Sequence, residues 1–412
     1  MNTGTIKAAA VLFICCMLSI LSNAWAQESA DKLSQAKHKQ RLASRAHLEN
    51  HPFTGFGQEY INFKNKLSDE LGLQWGVDVS YLIQRGAPGG KQTSVQGIYY
   101  PYANWTLFKD RAAGSGEINF SYNLSHYWGA SGATLQDRLD VASAQNDYTS
   151  NQKIFFELSY THTLPGEWDW LSVTAGQFPL SNFDGTTYLD NQQTALMNFA
   201  LSQNATSAYP SASMGAYVQA QNDLFSVAAG YQDASNVSGQ TARLSSAFDG
   251  KYTAFASLAW TPTFKIGAGQ YSFLYYYQPS VSAQPENVNG WSFNAQQNLG
   301  EKWAVFGRAN GSTGGVTGIK NSYAAGAALL NPFERNPQDA ITVGIAHNRL
   351  SAKGLGYPAE MRGSETALEV QWVIGIGKFV TVTPDLQFYP RAALNPGQGV
   401  TTVAGLRTTV ML

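Results

Sequence analysis

The sequence predicts an all-β fold, a transmembrane antiparallel β-barrel of about sixteen strands preceded by a short helical segment. Three observations carry this. Apolar and polar residues alternate over stretches of ten or more positions, longer than the five or six usual for soluble strands. Aromatic residues, 13% of the chain, gather near the ends of those stretches, as in the interfacial girdles of outer-membrane barrels. Only 13% of the 412 residues are charged, about half the roughly 25% of a soluble domain, so much of the surface has no need of water. The 27 Lys and Arg against 28 Asp and Glu give a net charge of -1, which provides no basic field for nucleic acid.

The N-terminus sets the compartment. Lys7 precedes an apolar run from Ala8 to Leu21, followed by Ala24-Trp25-Ala26, so residues 1–26 read as a secretory signal peptide. The run is too short to span a membrane as a helix. Cys15 and Cys16, the chain's 2 cysteines, would leave with it, so the mature chain would carry no disulfide, Cys-metal site or Cys nucleophile. Residues 27–52 are charged and free of Gly, with Pro only at position 52, and read as a polar helical periplasmic arm. Residues 53–72 carry Phe56, Tyr60, Phe63, Leu67 and Leu71 at helical spacing, an amphipathic helix expected at the barrel mouth.

From residue 73 to 412 the period changes to two. Leu73, Trp75, Val77, Val79, Tyr81 and Ile83 alternate with Gln74, Gly76, Asp78, Ser80, Leu82 and Gln84. The pattern returns around 117–125, 367–376 and 400–412. Twelve further candidate strands lie near 95–108, 153–163, 168–178, 213–221, 223–232, 251–261, 269–278, 288–298, 302–310, 320–330, 339–350 and 378–389. A barrel of this size encloses water, and only a closed barrel leaves no sheet edge in lipid. A charge facing mid-membrane lipid would cost about 2–4 kcal/mol. Strand charges therefore belong in the lumen: Asp78, Glu117, Glu157, Arg308, Glu369, Asp385 and Arg407. Carrying both signs, they predict weak ion selectivity and suit neutral polar solutes. His126, His162 and His347 share the apolar parity and read as girdle residues.

One connection, near 179–212, is too long for a turn and lacks a strand period. It is expected to fold inward and narrow the channel. Phe183, Asp184, Tyr188, Asp190 and Phe199 offer aromatic faces beside carboxylates, a combination that suits sugars, whose C–H faces stack while their hydroxyls hydrogen-bond. No H-E-x-x-H, G-x-S-x-G or P-loop pattern appears, and neither catalytic residues, metal ligands nor a cofactor are expected.

The region from about Phe53 to Leu412 resembles the carbohydrate-selective porins of the OprB family. The resemblance rests on LSDELGLQWGVDVSYLIQRG, GEINFSYNLSHYWG, FFELSYTHTL, LSVTAGQFPLSNF, the run Tyr209-Pro210-Ser211-Ala212-Ser213-Met214-Gly215, DAITVGIAHNRLS and SETALEVQWVIGIGKFVTVTPDLQFYPRAALNPG, in that order. Leu412 departs from it, because such barrels usually end in an aromatic. The resemblance implies a bacterial outer-membrane channel for passive diffusion of mono- or small oligosaccharides, narrowed by inward loops and an eyelet of arginine and acidic side chains. Arg85 and Glu117 are the candidates for that eyelet, with Arg308, Glu369 and Asp385 beside the loop residues. The expected partners are carbohydrate solutes and outer-membrane lipid, with monomer and homotrimer both open. The alternative is a barrel for polysaccharide export that docks a periplasmic partner through 27–52.

Overall fold

The computed structural model describes residues 55–412 except 89–92, 191, 315–316 and 357–359. The signal peptide and polar arm expected over 1–26 and 27–52 lie outside the described residues. The described chain opens on α1 (Gly55–Leu71). Gly72 ends it with φ +67° and donates its N–H to the Ser68 carbonyl at 3.0 Å. A Cβ there would lie 2.5 Å from the Thr106 carbonyl oxygen, so the position requires glycine.

Tyr60 meets Trp75 and Phe379 edge-on with centroids 6.2 and 5.8 Å apart, and the Lys64 ammonium lies 4.9 Å from the Trp75 ring. The helix thus rests on the rim beside the start of the first strand. Only part of the predicted apolar stripe is used: Phe63 and Leu71 remain exposed.

The strands follow as β1 (Leu73–Ala87), β2 (Thr93–Asp110), β3 (Gly114–Gly129), β4 (Gln152–Thr163), β5 (Leu171–Phe178), β6 (Ser213–Gln221) and β7 (Phe225–Asp233). Next come β8 (Tyr252–Trp260), β9 (Thr263–Phe264), β10 (Gly267–Gln278), β11 (Val288–Leu299) and β12 (Trp303–Ser312). The set closes with β13 (Ile319–Leu330), β14 (Ala340–Leu350), β15 (Ser364–Ile376), β16 (Val380–Tyr389) and β17 (Thr401–Met411). Every neighbouring pair is antiparallel, and the two-residue β9 shares one position with β8, both pairing with β10. The result is a closed sixteen-strand barrel.

Closure joins β1 to β17, with Val79 opposite Val410. Val77 and the terminal Leu412 exchange N–H···O bonds of 3.0 and 2.8 Å, so the last residue completes the ladder although it is not aromatic.

Period-two alternation sorts the side chains as the sequence implies. On β1, Tyr81 and Ile83 are exposed outward while Ser80, Leu82 and Gln84 are buried inward. Outward aromatics pair near the strand ends: Trp128 stacks on Tyr81 at 5.9 Å and takes His126 edge-on at 4.9 Å, and Trp260 stacks on Phe225 at 6.1 Å. The long connections all leave one end. Connections of nine residues or fewer, both described chain ends and α1 occupy the other, which in outer-membrane barrels faces the periplasm.

Because Ile345 projects outward midway along β14, Ile345→Arg should lower barrel stability by about 2–4 kcal/mol, read by denaturant unfolding in lipid bilayers. An unchanged midpoint would contradict lipid contact at that face.

Candidate functional site

Irregular backbone inside a barrel must find partners for N–H and C=O groups that no sheet ladder satisfies. Here the wall provides them through neutral side chains such as Gln84, Gln387 and Tyr389 and through charged ones. The segment 179–212 is bound by three such groups. Arg308 on β12 donates from Nη2 to the Leu189 carbonyl at 2.5 Å and from Nε to Asn294 Oδ1 at 2.5 Å. Arg407 on β17 donates from Nη1 to the carbonyls of Gln192 and Ala195. Glu369 on β15 accepts the N–H groups of Met197 and Asn198 at 2.5 and 2.8 Å.

Asn198 then caps α3 (Phe199–Ser202), accepting from the Ala200 N–H at 3.1 Å. Gly344 on β14 lets this region reach the wall: a Cβ there would lie 2.6 Å from Leu196 Cδ1 and 3.1 Å from Leu201 Cδ2.

A second segment, 130–151 between β3 and β4, also enters the lumen. The Ser131 side chain accepts the Thr134 N–H at 3.1 Å, capping α2 (Gly132–Leu139). Beyond it, Glu365 on β15 accepts the N–H groups of Ala142 and Ser143 at 2.9 and 2.7 Å, and that of Ala393 at 3.0 Å. One carboxylate thus gathers two loops.

Asp147 ties this segment to 179–212. Its N–H donates to Gln192 Oε1 at 2.6 Å, Oδ2 accepts the Gln192 N–H at 2.8 Å, and Oδ1 accepts the Ser202 hydroxyl. Burial pushes the Asp147 carboxyl up to about 7, against the lowering effect of the Ser202, Gln192 and Gln203 donors. Asp184 goes the other way. Burial alone would raise it, but nearby Arg308 and donors from Ser292, Asn294 and Asn204 hold its carboxyl below the usual range.

Between these two segments and the β2–β4 wall lies a cavity of about 290 Å³. Tyr100 and Phe156 line it from the wall, and Tyr148, Phe199 and Tyr209 from the loops. Asp147, Asp190, Asn182, Gln193 and Gln203 place carboxylate and amide groups beside those rings. This arrangement can stack one face of a small polar ring while exchanging hydrogen bonds at its edge.

The sequence-derived candidates distribute unevenly around it. Asp190 and Phe199 line the cavity. Asp184, Arg308 and Glu369 hold the loop, with Asp184 accepting from Asn204 and Asn294 at 2.8 and 2.9 Å. Phe183 packs into the wall cluster of Phe178, Tyr217 and Phe255, and Tyr188 stacks on Phe306 at 5.5 Å. Glu117 is buried in the lumen, accepting from Asn104 at 3.1 Å, and Asp385 accepts from Gln387 at 3.1 Å; neither lines the cavity.

Arg85 is a correction. It is exposed on the outer face of β1, in parity with Tyr81 and Ile83, and cannot belong to an eyelet. Sequence reading missed Asp147, Tyr148 and the whole inward segment 130–151. The available signal was the break in alternation after β3, too long for a turn.

Comparison with known proteins places these features in context. The family model "Carbohydrate-selective porin, OprB family" matches residues 116–412. Porin AaxA of Chlamydia pneumoniae is 37% identical over 348 residues, covering 83% of this chain and 79% of the relative. Porin AaxA of Chlamydia felis is 38% identical over 352 residues, with 83% and 79% covered. Among solved structures, Pseudomonas putida OprB at high pH superposes with a TM-score of 0.71 at 15% identity, covering 86% of this chain and 97% of that one. An anion-selective porin from Comamonas acidovorans gives a TM-score of 0.54 at 12% identity, with 82% and 99% covered. At such identities the structural likenesses speak for the fold alone.

Proposed function

The chain belongs to the OprB family of carbohydrate-selective porins, and on that premise we propose that it lets mono- or small oligosaccharides diffuse passively into the periplasm through the cavity between its inward loops. Family and barrel together mark a bacterial outer-membrane porin, a channel rather than an enzyme. The observation that carries the substrate reading is the lining: aromatic faces of Tyr100, Tyr148, Phe156, Phe199 and Tyr209 beside the amides of Asn182, Gln193 and Gln203. Sugar hydroxyls that lose water on entry would find polar side chains there, while the rings cover the C–H face. Conduction requires release as well as entry, so several weak contacts serve better than one tight pocket.

The test is single-channel recording in planar bilayers with glucose or maltose-type sugars added. Sugar should lower or chop the ion current reversibly, and Phe199→Ala should weaken that block by removing one ring from the lining. Sugars that neither block nor permeate would end the carbohydrate assignment and leave the barrel standing.

A further inference from the structure

The balance of signs read from the strands omits what the loops bring into the lumen. Of the charged side chains buried on the inner wall, Asp78, Glu117, Glu157, Glu365, Glu369 and Asp385 are acidic, and Arg308 and Arg407 are basic. The inward segments add Asp147 and Asp190 in the cavity lining, and Asp137, Arg138, Asp140 and Asp184 outside it. Both arginines direct N–H groups at the backbone carbonyls of Leu189, Gln192 and Ala195, and neither lines the cavity. Glu365 and Glu369 are taken up with backbone N–H groups of the loops and do not line the cavity either.

The cavity lining itself contains two carboxylates, Asp147 and Asp190, and no Lys, Arg or His. Five aromatic rings surround them. The electron-rich faces of such rings attract cations and offer anions nothing. Low-dielectric walls focus the resulting field along the narrow path.

We infer that the throat prefers cations over anions, and that among solutes of sugar size it favours those bearing an ammonium group, with Asp147 and Asp190 setting the preference. The inference rests on the reading that the cavity is the permeation path. It deepens that reading by assigning a charge class to the solute. An ammonium on a sugar-sized ring would sit against the carboxylates and ring faces while its hydroxyls use the amides. A solute carrying a carboxylate would meet repulsion from Asp147 and Asp190, with no base in the lining itself to pair with. A single unit charge about 4 Å from a passing ion, even at the dielectric of water, favours a cation roughly fivefold over a neutral solute and roughly thirtyfold over an anion.

The experiment uses the full-length protein in planar bilayers at pH 8, where Asp147 is ionised, and at low ionic strength, where screening leaves the field intact. A potassium chloride gradient should give a reversal potential of cation-selective sign, corresponding to K⁺ over Cl⁻ by roughly fivefold or more. Glucosamine hydrochloride on one side against potassium chloride on the other should show that glucosammonium carries current, whereas gluconate from its potassium salt should carry little.

Asp147→Asn with Asp190→Asn should move the reversal potential toward zero. Asp190→Asn alone, which leaves the Asp147–Gln192 pairing intact, should move it part of the way. Heat-modifiable gel migration confirms that each variant is a folded barrel. A wild-type reversal potential at zero or of anion-selective sign overturns the inference, as does an undiminished potential in both variants. Glucose flux reads the path and the potential reads its charge, so failure of one is distinguishable from failure of the other.

Discussion

Arg407→Ala should detach the constriction segment from the barrel wall and raise single-channel conductance. The Arg407 guanidinium, fully buried on β17, donates to the carbonyls of Gln192 and Ala195 and lies 3.4 Å from Thr383 Oγ1. Hydrogen bonds to a charged group contribute about 1.5–3 kcal/mol each, so losing the two to the loop removes about 3–6 kcal/mol of anchoring. The two carbonyls are then left without that partner inside the barrel, which the loop can relieve only by moving toward water. The substitution also strips Glu369 and Asp385 of the cation whose field they share.

The β-ladder does not depend on this side chain, so the barrel should still form. Arg407→Lys keeps the charge but loses the planar fork, and its conductance should fall between the two. A folded Arg407→Ala barrel with wild-type conductance and wild-type sugar block would show that the loop is held by other means.

The same logic explains why charges on the inner wall are numerous yet scarce in the cavity. A loop folded inward carries bare N–H and C=O groups into a space where few ladder partners remain. Carboxylates such as Glu365 and Glu369 answer the N–H groups and arginines such as Arg308 and Arg407 answer the carbonyls, each through charge-assisted bonds stronger than neutral ones. The wall charges therefore act mainly as positioning residues. The charged groups that line the cavity, Asp147 and Asp190, are on the loops themselves.

This division decides how much was legible in the sequence. Strand number and facing could be read because a period of two leaves one residue type on each face, and each of the candidate strands has a counterpart in the barrel. Arg85 is no eyelet residue for a reason the same rule contains: its parity with Tyr81 and Ile83 places it outside. The inward segment 179–212 stood out by length and composition. The segment 130–151 did not, because its helical stretch GATLQDRL carries little that distinguishes an inward loop from an outer one.

The roles of Arg308 and Glu369 were beyond sequence reasoning altogether. Their partners are backbone atoms more than a hundred residues away, and backbone groups leave no mark in composition or spacing.

Thiol modification of Ser207→Cys asks most directly whether solutes cross through the cavity between 130–151, 179–212 and the β2–β4 wall. Ser207 lines that cavity from the loop side, and its small side chain makes the exchange nearly isosteric. The native cysteines, Cys15 and Cys16, both precede the barrel, and a background of Cys15→Ser with Cys16→Ser makes the added thiol the sole target. In planar bilayers, a bulky water-soluble thiosulfonate should lower the single-channel conductance of Ser207→Cys irreversibly until a reducing agent restores it. The same reagent should leave the lipid-facing Ile345→Cys unaffected. Bound glucose should slow the modification by occupying the same space. A labelled Ser207→Cys channel whose conductance and sugar block match the unlabelled protein would contradict the account, because the current would then run elsewhere in the barrel.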